Sequence, residues 1–362
     1  MKNTLVIFNP SIEDGGVEKN LFLITNFLKK KIPKINIITA NKSRINEFNK
    51  DINIITPKFN VNRNTNRKIK YLVCLIILIR EILKNKKITV FTFQANIYAI
   101  IICNIFNVKI ISRSNSAPQG WSNNLIKQFI FNFFFKRAQE IIVNSKDFKK
   151  QMDRKYSINS KCIYNPFDFQ NIKKKSKEKI NKEFIKKNTI KLITVGRFTD
   201  QKDQITILKS MKIILKKKDV FLFILGKGIF KDKIKNFINK NHLNKNVKIL
   251  TFQKNPYKFI NNADIFILSS KFEGLPNVLI EAQFLKKYII STDCPTGPRE
   301  ILNNGNYGDL IKIGDYKKIA KLVLSYNKQK NIKKIKLGYK NLKRFSYKKN
   351  CNEYYKIINQ YL

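Results

Sequence analysis

Short β-branched runs alternate with longer amphipathic stretches twice along this chain, and that alternation narrows the possible folds more than any other feature. In the first half, residues 4–8, 35–39, 52–56, 89–93, 108–112 and 140–144 read as strands. Residues 18–31 place Leu21, Ile24 and Leu28, with Ile32 just beyond, on one helical face, and 71–83 reads as a buried helix. After a lysine-rich polar stretch at 171–189 the pattern restarts. Strands are predicted at 190–195, 220–225, 247–251, 265–268 and 288–291, with helices at 204–215, 229–241 and 276–284; the tail from about 315 reads as helices. Such a succession implies open, mostly parallel sheets with helices on both faces. The expected organisation is therefore two Rossmann-like α/β domains, 1–170 and 190–340. Residues 171–189 would link them, and 341–362 would form a closing helix able to pack back on the first. Ligands of such sheets bind beyond the carboxyl ends of the strands, so a cleft between two facing domains is the expected site.

Composition sets the outer limits. A chain of 362 residues can bury two cores, and 43% apolar with 27% charged residues is a globular balance. The formal charge of +49 favours anionic partners such as nucleic acid, acidic phospholipid or phosphorylated substrates. A chain saturated with Lys, Asn and Ile would reach the same charge through compositional bias alone. Cys74, Cys103, Cys162, Cys294 and Cys351 are scattered with no CxxC pair, which argues against a disulfide framework or zinc site and fits a reducing cytoplasm. His242 is the single histidine, so no site needs two imidazoles. The apolar core of the first ten residues is too short for a signal peptide. The longest apolar run, 71–79, falls far below the roughly 20 residues of a spanning helix. A soluble or peripheral protein is expected.

The most specific run is Glu273-Gly274-Leu275-Pro276-Asn277-Val278-Leu279-Ile280-Glu281. Pro276 suits a first helical turn, where its missing N–H costs nothing. The N–H groups of Asn277, Val278 and Leu279 are then expected to face the cleft, ready for phosphate or sugar oxygens. Glu273 precedes the helix. Glu281 lies about two turns further on, where its carboxylate could take both hydroxyls of a ribose, one on each oxygen. Two glutamates eight residues apart would equally describe the solvent face of a capped helix; the whole run is far more specific.

At these residues the sequence resembles the retaining GT-B glycosyltransferases of family 4, the glycosyl transferases group 1. Further features follow in that family's order: Gly15-Gly16-Val17-Glu18, then Gly196-Arg197 with Lys202-Asp203, then the Gly-x-Gly turn at 223–228. The run into the acidic motif follows, through 247–252, 257–262 and Ala263-Asp264-Ile265-Phe266-Ile267. The resemblance implies a GT-B architecture and a nucleotide-sugar donor, UDP-linked, with no metal cofactor. It assigns catalytic roles to Arg197, Lys202 and Glu273. Arg197 and Lys202 would bracket the donor diphosphate, where a guanidinium fork and an ammonium suit a leaving group that gains negative charge. Glu273 would hold hydroxyls of the transferred sugar and Glu281 the ribose. Backbone at Phe252 and Gln253 would hold the base, and Gly274, Leu275, Asn277, Val278 and Leu279 would complete the donor side. Gly16 would let backbone approach the phosphates.

Two departures bear on the acceptor. Many family members carry a first-domain histidine beside the transferred sugar, whereas this chain has Thr92-Phe93-Gln94-Ala95-Asn96 and Ser112-Arg113-Ser114-Asn115-Ser116-Ala117-Pro118 there. A retaining mechanism can do without it, since the leaving phosphate can accept the acceptor's proton. The second segment is similar to that of a subset building lipid-linked oligosaccharides and surface polysaccharides from hexose or N-acetylhexosamine donors. That likeness would turn Arg113 and Asn115, together with Glu18, towards the acceptor or donor sugar; a polar loop after a strand is the alternative. The turn from Cys294 to Ile301 also resembles this subset. It would bring Thr296 near the donor, with Glu300 as a helix cap. The implied partners are a glycan or polyprenyl-diphosphate-linked acceptor and an anionic inner-membrane surface. Residues 121–137, with one Trp, five Phe and several cations, fit either a bilayer interface or first-domain core. The expected place is the cytoplasm, peripheral to the inner face of the cell membrane. A basic nucleic-acid-binding protein is the rival, but no binding module is recognisable and the lysines form no single stripe. A sugar phosphorylase or inactive relative could share the fold; intact Arg197, Lys202, Glu273 and Glu281 speak against an inactive one.

Overall fold

Runs such as Leu5-Val6-Ile7-Phe8 and Ile265-Phe266-Ile267-Leu268 are apolar on both strand faces, as a parallel sheet covered on both sides requires. The computed structural model describes residues 3–13, 15–42, 44–62, 65–115, 125–180 and 189–362. It divides into two units, Met1–Phe167 with Phe345–Leu362, and Asp168–Arg344.

The first unit has seven strands: β1 Thr4–Phe8, β2 Ile35–Ile38, β3 Asn53–Ile55, β4 Ile88–Thr92, β5 Lys109–Arg113, β6 Glu140–Val143 and β7 Lys161–Cys162. Between them run α1 Gly16–Lys29, α2 Arg67–Lys84, α3 Asn96–Ile105, α4 Leu125–Phe135 and α5 Lys146–Tyr156. The sheet order is β3-β2-β1-β4-β5-β6-β7, and the paired strands run parallel. Alternate residues serve opposite cores. Val6, Phe8 and Val90 pack with Cys74 and Leu78 of α2, Ala99 of α3 and Phe148 of α5. Leu5, Ile7 and Phe91 pack with Leu21 and Ile24 of α1. Short polar caps start several helices; Ser145 Oγ accepts from the Phe148 N–H at 3.1 Å at the head of α5.

The second unit opens with α6 Phe169–Ser176, so the lysine-rich stretch begins as a helix, and 181–188 lie outside the described residues. Its strands are β8 Ile190–Val195, β9 Val220–Leu225, β10 Val247–Leu250, β11 Ile265–Leu268, β12 Tyr288–Thr292 and β13 Asp309–Ile311. Its further helices are α7 Gln204–Ile214, α8 Lys231–Lys240, α9 Tyr257–Asn261, α10 Asn277–Phe284, α11 Pro298–Ile301, α12 Tyr316–Leu324 and α13 Lys328–Lys340. The order β10-β9-β8-β11-β12-β13, again parallel, repeats the doubly wound scheme of the first sheet. The strand β13 and the two-residue β7 were not predicted, being too short to show a period.

The last helix, α14 Tyr347–Asn359, belongs to the first unit. Its Cys351, Tyr354 and Ile358 join the core beside α1. Arg113, expected to face a substrate, instead lies fully buried at the end of β5. Its guanidinium donates through Nε to Tyr354 Oη at 2.8 Å, through Nη2 to Asn165 Oδ1 at 2.7 Å, and through Nη1 to Asn115 Oδ1. It also stacks 5.3 Å from the Phe93 ring. Asn115 in turn donates to the Phe93 carbonyl at 2.7 Å. A buried cation persists only when its donors are satisfied, and this one clamps α14 to the sheet. Tyr354→Phe keeps the ring and removes one acceptor of that cation. It should destabilise the first unit by about 2 kcal/mol, read as a lower urea midpoint; an unchanged midpoint would show that the clamp contributes nothing.

Candidate functional site

Where the order of a doubly wound sheet reverses, the loops on either side part and leave a crevice at the strands' carboxyl ends. In the second unit the reversal lies between β8 and β11, and the residues after those two strands carry the predicted chemistry. After β8, Gly196 and Arg197 lead into a short 3-10 turn, Asp200–Lys202, and then α7. After β11, 269–276 lead into α10. The two loops are laced together. The Ser269 hydroxyl lies 2.9 and 2.8 Å from the carbonyl oxygens of Lys202 and Asp203, the Lys271 N–H donates to Gln201 O at 2.8 Å, and Gln201 Nε2 donates to Phe272 O at 2.8 Å.

This lacing brings Lys202 and Glu273 together. Lys202 Nζ donates to Glu273 Oε1 at 2.5 Å, with only 14% and 8% of the two side chains exposed. A third loop supports the pair from beyond β12: the Thr296 hydroxyl donates to the Glu273 carbonyl. At Gly297, φ is +88° and a Cβ would collide with the Gly274 carbonyl, so only glycine permits this packing. The turn after β9 packs equally closely, for a Cβ at Gly226 would overlap the Gly196 carbonyl. Arg197 is exposed beside them.

The other predicted donor residues fall in two groups. Gly274 and Leu275 continue the Glu273 loop into Pro276, which occupies the N-cap of α10. Asn277, Val278 and Leu279 form its first turn. The Leu279 N–H, predicted to await a ligand, instead donates to the Pro276 carbonyl at 3.0 Å. The turn closes on itself there. Phe252, exposed, and Gln253 follow β10, and Lys227 Nζ lies 4.7 Å over the Phe252 ring. Glu281 is 1% exposed within α10, and its Oε1 accepts from Tyr257 Oη at 3.3 Å. That tyrosine opens the 257–262 segment singled out in the sequence, where it was given no role of its own. Cys294, which opens the turn to Ile301, is buried beside Glu273 and Lys202, and burial pushes its thiol up to about 12.

The first unit reverses between β1 and β4, and there too the loops meet. Ser11 N–H donates to Gln94 Oε1 at 3.1 Å, and Gln94 Nε2 returns a bond to Ser11 O at 2.9 Å. Gly16 opens α1, and Glu18 in its first turn is buried. The Glu18 carboxylate bends back to accept from the Glu13 N–H at 3.4 Å, while Ser11 Oγ donates to Glu13 Oε1 at 3.1 Å. Among the described residues no three His, Cys, Asp or Glu side chains gather as a metal-ligand set, and no helix is long and apolar enough to cross a membrane.

With this geometry in hand, comparison with known proteins is informative. Residues 175–350 match the family described as glycosyl transferases group 1. The chain is 35% identical over 225 residues to an uncharacterised glycosyltransferase of Methanocaldococcus jannaschii, covering 59% of this chain and 55% of that protein. It is 31% identical over 196 residues to a Campylobacter jejuni N-acetylgalactosamine-N,N'-diacetylbacillosaminyl-diphospho-undecaprenol 4-alpha-N-acetylgalactosaminyltransferase, covering 53% and 51%. The chain thus spans about half the length of these relatives. The crystal structure of Anabaena HepE in complex with UDP superposes at a TM-score of 0.79 with 16% identity, over 99% of this chain and 100% of that one. The shared fold is the GT-B architecture.

Burial pushes the Glu18 carboxyl above the usual carboxylate range, Glu13 adds to the rise, and Arg44 and the backbone N–H groups oppose it. The folded chain then holds this proton at pH values where the unfolded chain has lost it, so stability falls as pH rises between the two values. Glu18→Gln abolishes that loss. The variant should melt higher than the parent at neutral pH, with the difference closing below about pH 4. A difference that ignores pH in thermal melts would remove the carboxyl from the account.

Proposed function

We propose, for a chain whose second unit belongs to the group 1 glycosyl transferases, that it is a retaining glycosyltransferase. It moves a hexose or N-acetylhexosamine from a UDP-linked donor to a glycan or lipid-linked oligosaccharide in surface polysaccharide synthesis. The observation that carries the reading is the Lys202–Glu273 pair held at the switch point between β8 and β11. Relatives supply the class of substrate: the Campylobacter protein is named for an undecaprenyl-diphosphate-linked acceptor, and the Anabaena structure holds UDP.

In this reading the bond between the anomeric carbon and the donor diphosphate breaks as an acceptor hydroxyl bonds to the same face of that carbon. The hydroxyl's proton passes to a leaving phosphate oxygen. Negative charge grows on the diphosphate, and Lys202 with Arg197 neutralises it where it forms. Glu273, braced through its backbone by Thr296 and through its carboxylate by Lys202, orients hydroxyls of the transferred sugar. Phe252 and Gln253 receive the base. No step calls for a metal, since the cations are side chains.

Glu281 admits two roles, as a ribose ligand or as a brace tying Tyr257 to α10; its burial favours the second. Lys202→Ala should lower transfer and donor hydrolysis by about 10²-fold or more, as loss of a preorganised cation at a developing anion does; an unchanged rate would take Lys202 out of the mechanism. Glu281→Ala separates its two roles. A ribose ligand loses donor affinity in isothermal titration, whereas a brace loses melting temperature at unchanged affinity. A thermal-shift series with UDP-, GDP- and ADP-sugars identifies the base, because the bound form gains stability with ligand concentration.

A further inference from the structure

Helices on the surface of a sheet normally turn one apolar face inward and a polar face to water. In the first unit α2 departs from this. Its inner stripe, Cys74, Leu78 and Ile82, is buried in the core, yet its outer stripe is apolar as well. Ile69, Leu72, Ile76 and Leu83 share that outer face at helical spacing, each more than half exposed, with Arg80 among them between the last two. No charged residue interrupts 71–79. The helix α3 packs against both α2 and α4, and these neighbours also expose large apolar groups, Tyr98 and Ile105 on α3 and Phe129 and Phe133 on α4. Apolar surface of this extent marks an interaction site.

Charge identifies the occupant. From Lys58 to Gln139 the sequence carries fourteen Lys or Arg, of which Lys70 and Arg113 are buried, and a single acid, Glu81, which Lys84 neutralises at 2.7 Å. Exposed Arg67 and Lys68 stand at the head of α2, exposed Lys84, Lys86 and Lys87 at its end, and exposed Arg80 falls on the outer stripe between Ile76 and Leu83. Arg137 lies over the Phe133 ring on α4. A second copy of a chain bearing +49 would be repelled by such a face. Nucleic acid would satisfy the cations and leave the apolar stripe wet. An anionic lipid surface satisfies both, accepting aliphatic and aromatic groups below the headgroups and cations among them.

We propose that the outer face of α2, continued by α3 and α4, docks on an anionic bilayer. The face begins beside the loop after β1: Tyr71, in the first turns of α2, lies in electrostatic range of Glu13 and of Tyr98. Docking there brings Glu13, which follows β1, towards the membrane surface. The inference deepens the proposed function by naming the surface on which a lipid-linked acceptor is met, and its deciding readout, vesicle binding, needs no sugar donor.

The full chain is sedimented with vesicles of phosphatidylcholine alone and of phosphatidylcholine with an equal amount of phosphatidylglycerol. The parent should bind the anionic vesicles only. Leu72→Glu with Ile76→Glu, at exposed positions, should weaken that binding about tenfold or more while leaving the melting temperature and UDP-sugar affinity unchanged. Arg80→Glu with Lys84→Glu should weaken it comparably and make the residual binding less sensitive to salt. Equal binding by parent and the Leu72/Ile76 variant overturns the proposal, as does failure of the parent to bind. A parent dimer in light scattering that the same variant dissociates would also overturn it, and would assign the face to self-association. Loss of UDP-sugar binding with vesicle binding intact would reject the transferase reading and leave the docking face standing.

Discussion

A parallel pair of strands cannot be closed by a hairpin. Each connection must cross a face of the sheet, and right-handed crossovers give each direction of strand growth its own face. Both sheets of this chain obey that constraint and both reverse direction once, between β1 and β4 and between β8 and β11. At a reversal the two outgoing loops diverge to opposite faces, leaving backbone and side chains to fill the crevice between them. In the second unit the filling is Lys202 from one loop and Glu273 from the other; in the first it is Ser11 and Gln94. The site is thus a product of topology before it is a product of particular residues.

Lys202 and Glu273 are largely withdrawn from water, and removing two charges from water is costly unless geometry and neighbouring bonds compensate. Here the compensation is a 2.5 Å bond together with the Ser269, Lys271 and Gln201 ties that keep both loops from drifting apart. Such a pair makes a modest contribution to stability and a larger one to position. An ammonium has three N–H donors, and Glu273 occupies one, so in the proposed reaction Lys202 turns to the donor phosphate without releasing its partner. A cation that need not reorganise when charge develops is the kind most effective at stabilising it.

Much of this was legible in the sequence, for identifiable reasons. The strands at 190–195 and 265–268 appear at the predicted bounds because continuous β-branched runs bounded by polar turns have few other uses. Lys202 and Glu273 were recognisable singly, from motif spacing, but not as a bonded pair, since 71 residues separate them. Arg113 shows the opposite case. A charged residue closing a strand reads as a ligand when its partners are unseen, and Tyr354 lies 241 residues away. The Leu279 N–H was assigned to a ligand because Pro276 was placed inside the helix; as N-cap, Pro276 supplies the acceptor itself. The segment 116–124, which includes Trp121, lies outside the described residues, so the expectation placed on it rests on α4 alone.

The charge of the chain separates into two parts when burial is considered. Compositional bias towards Lys and Ile accounts for scattered lysines on the exposed face of α8, where Ile234 and Ile238 still turn inward. It does not account for α2. A bias that supplies lysine freely would place lysine on an outer helical stripe as readily as isoleucine, and water would select for it. Yet residues 71–79 contain none, while the flanks on either side are basic. Leu72 and Leu83 on the same stripe, and Phe129 on α4, are each more than half exposed. An apolar centre with a cationic border is a pattern of placement, which overall composition does not determine. In the first unit that pattern gathers on the helices of one sheet face, α2, α3 and α4, and α14 covers the other face.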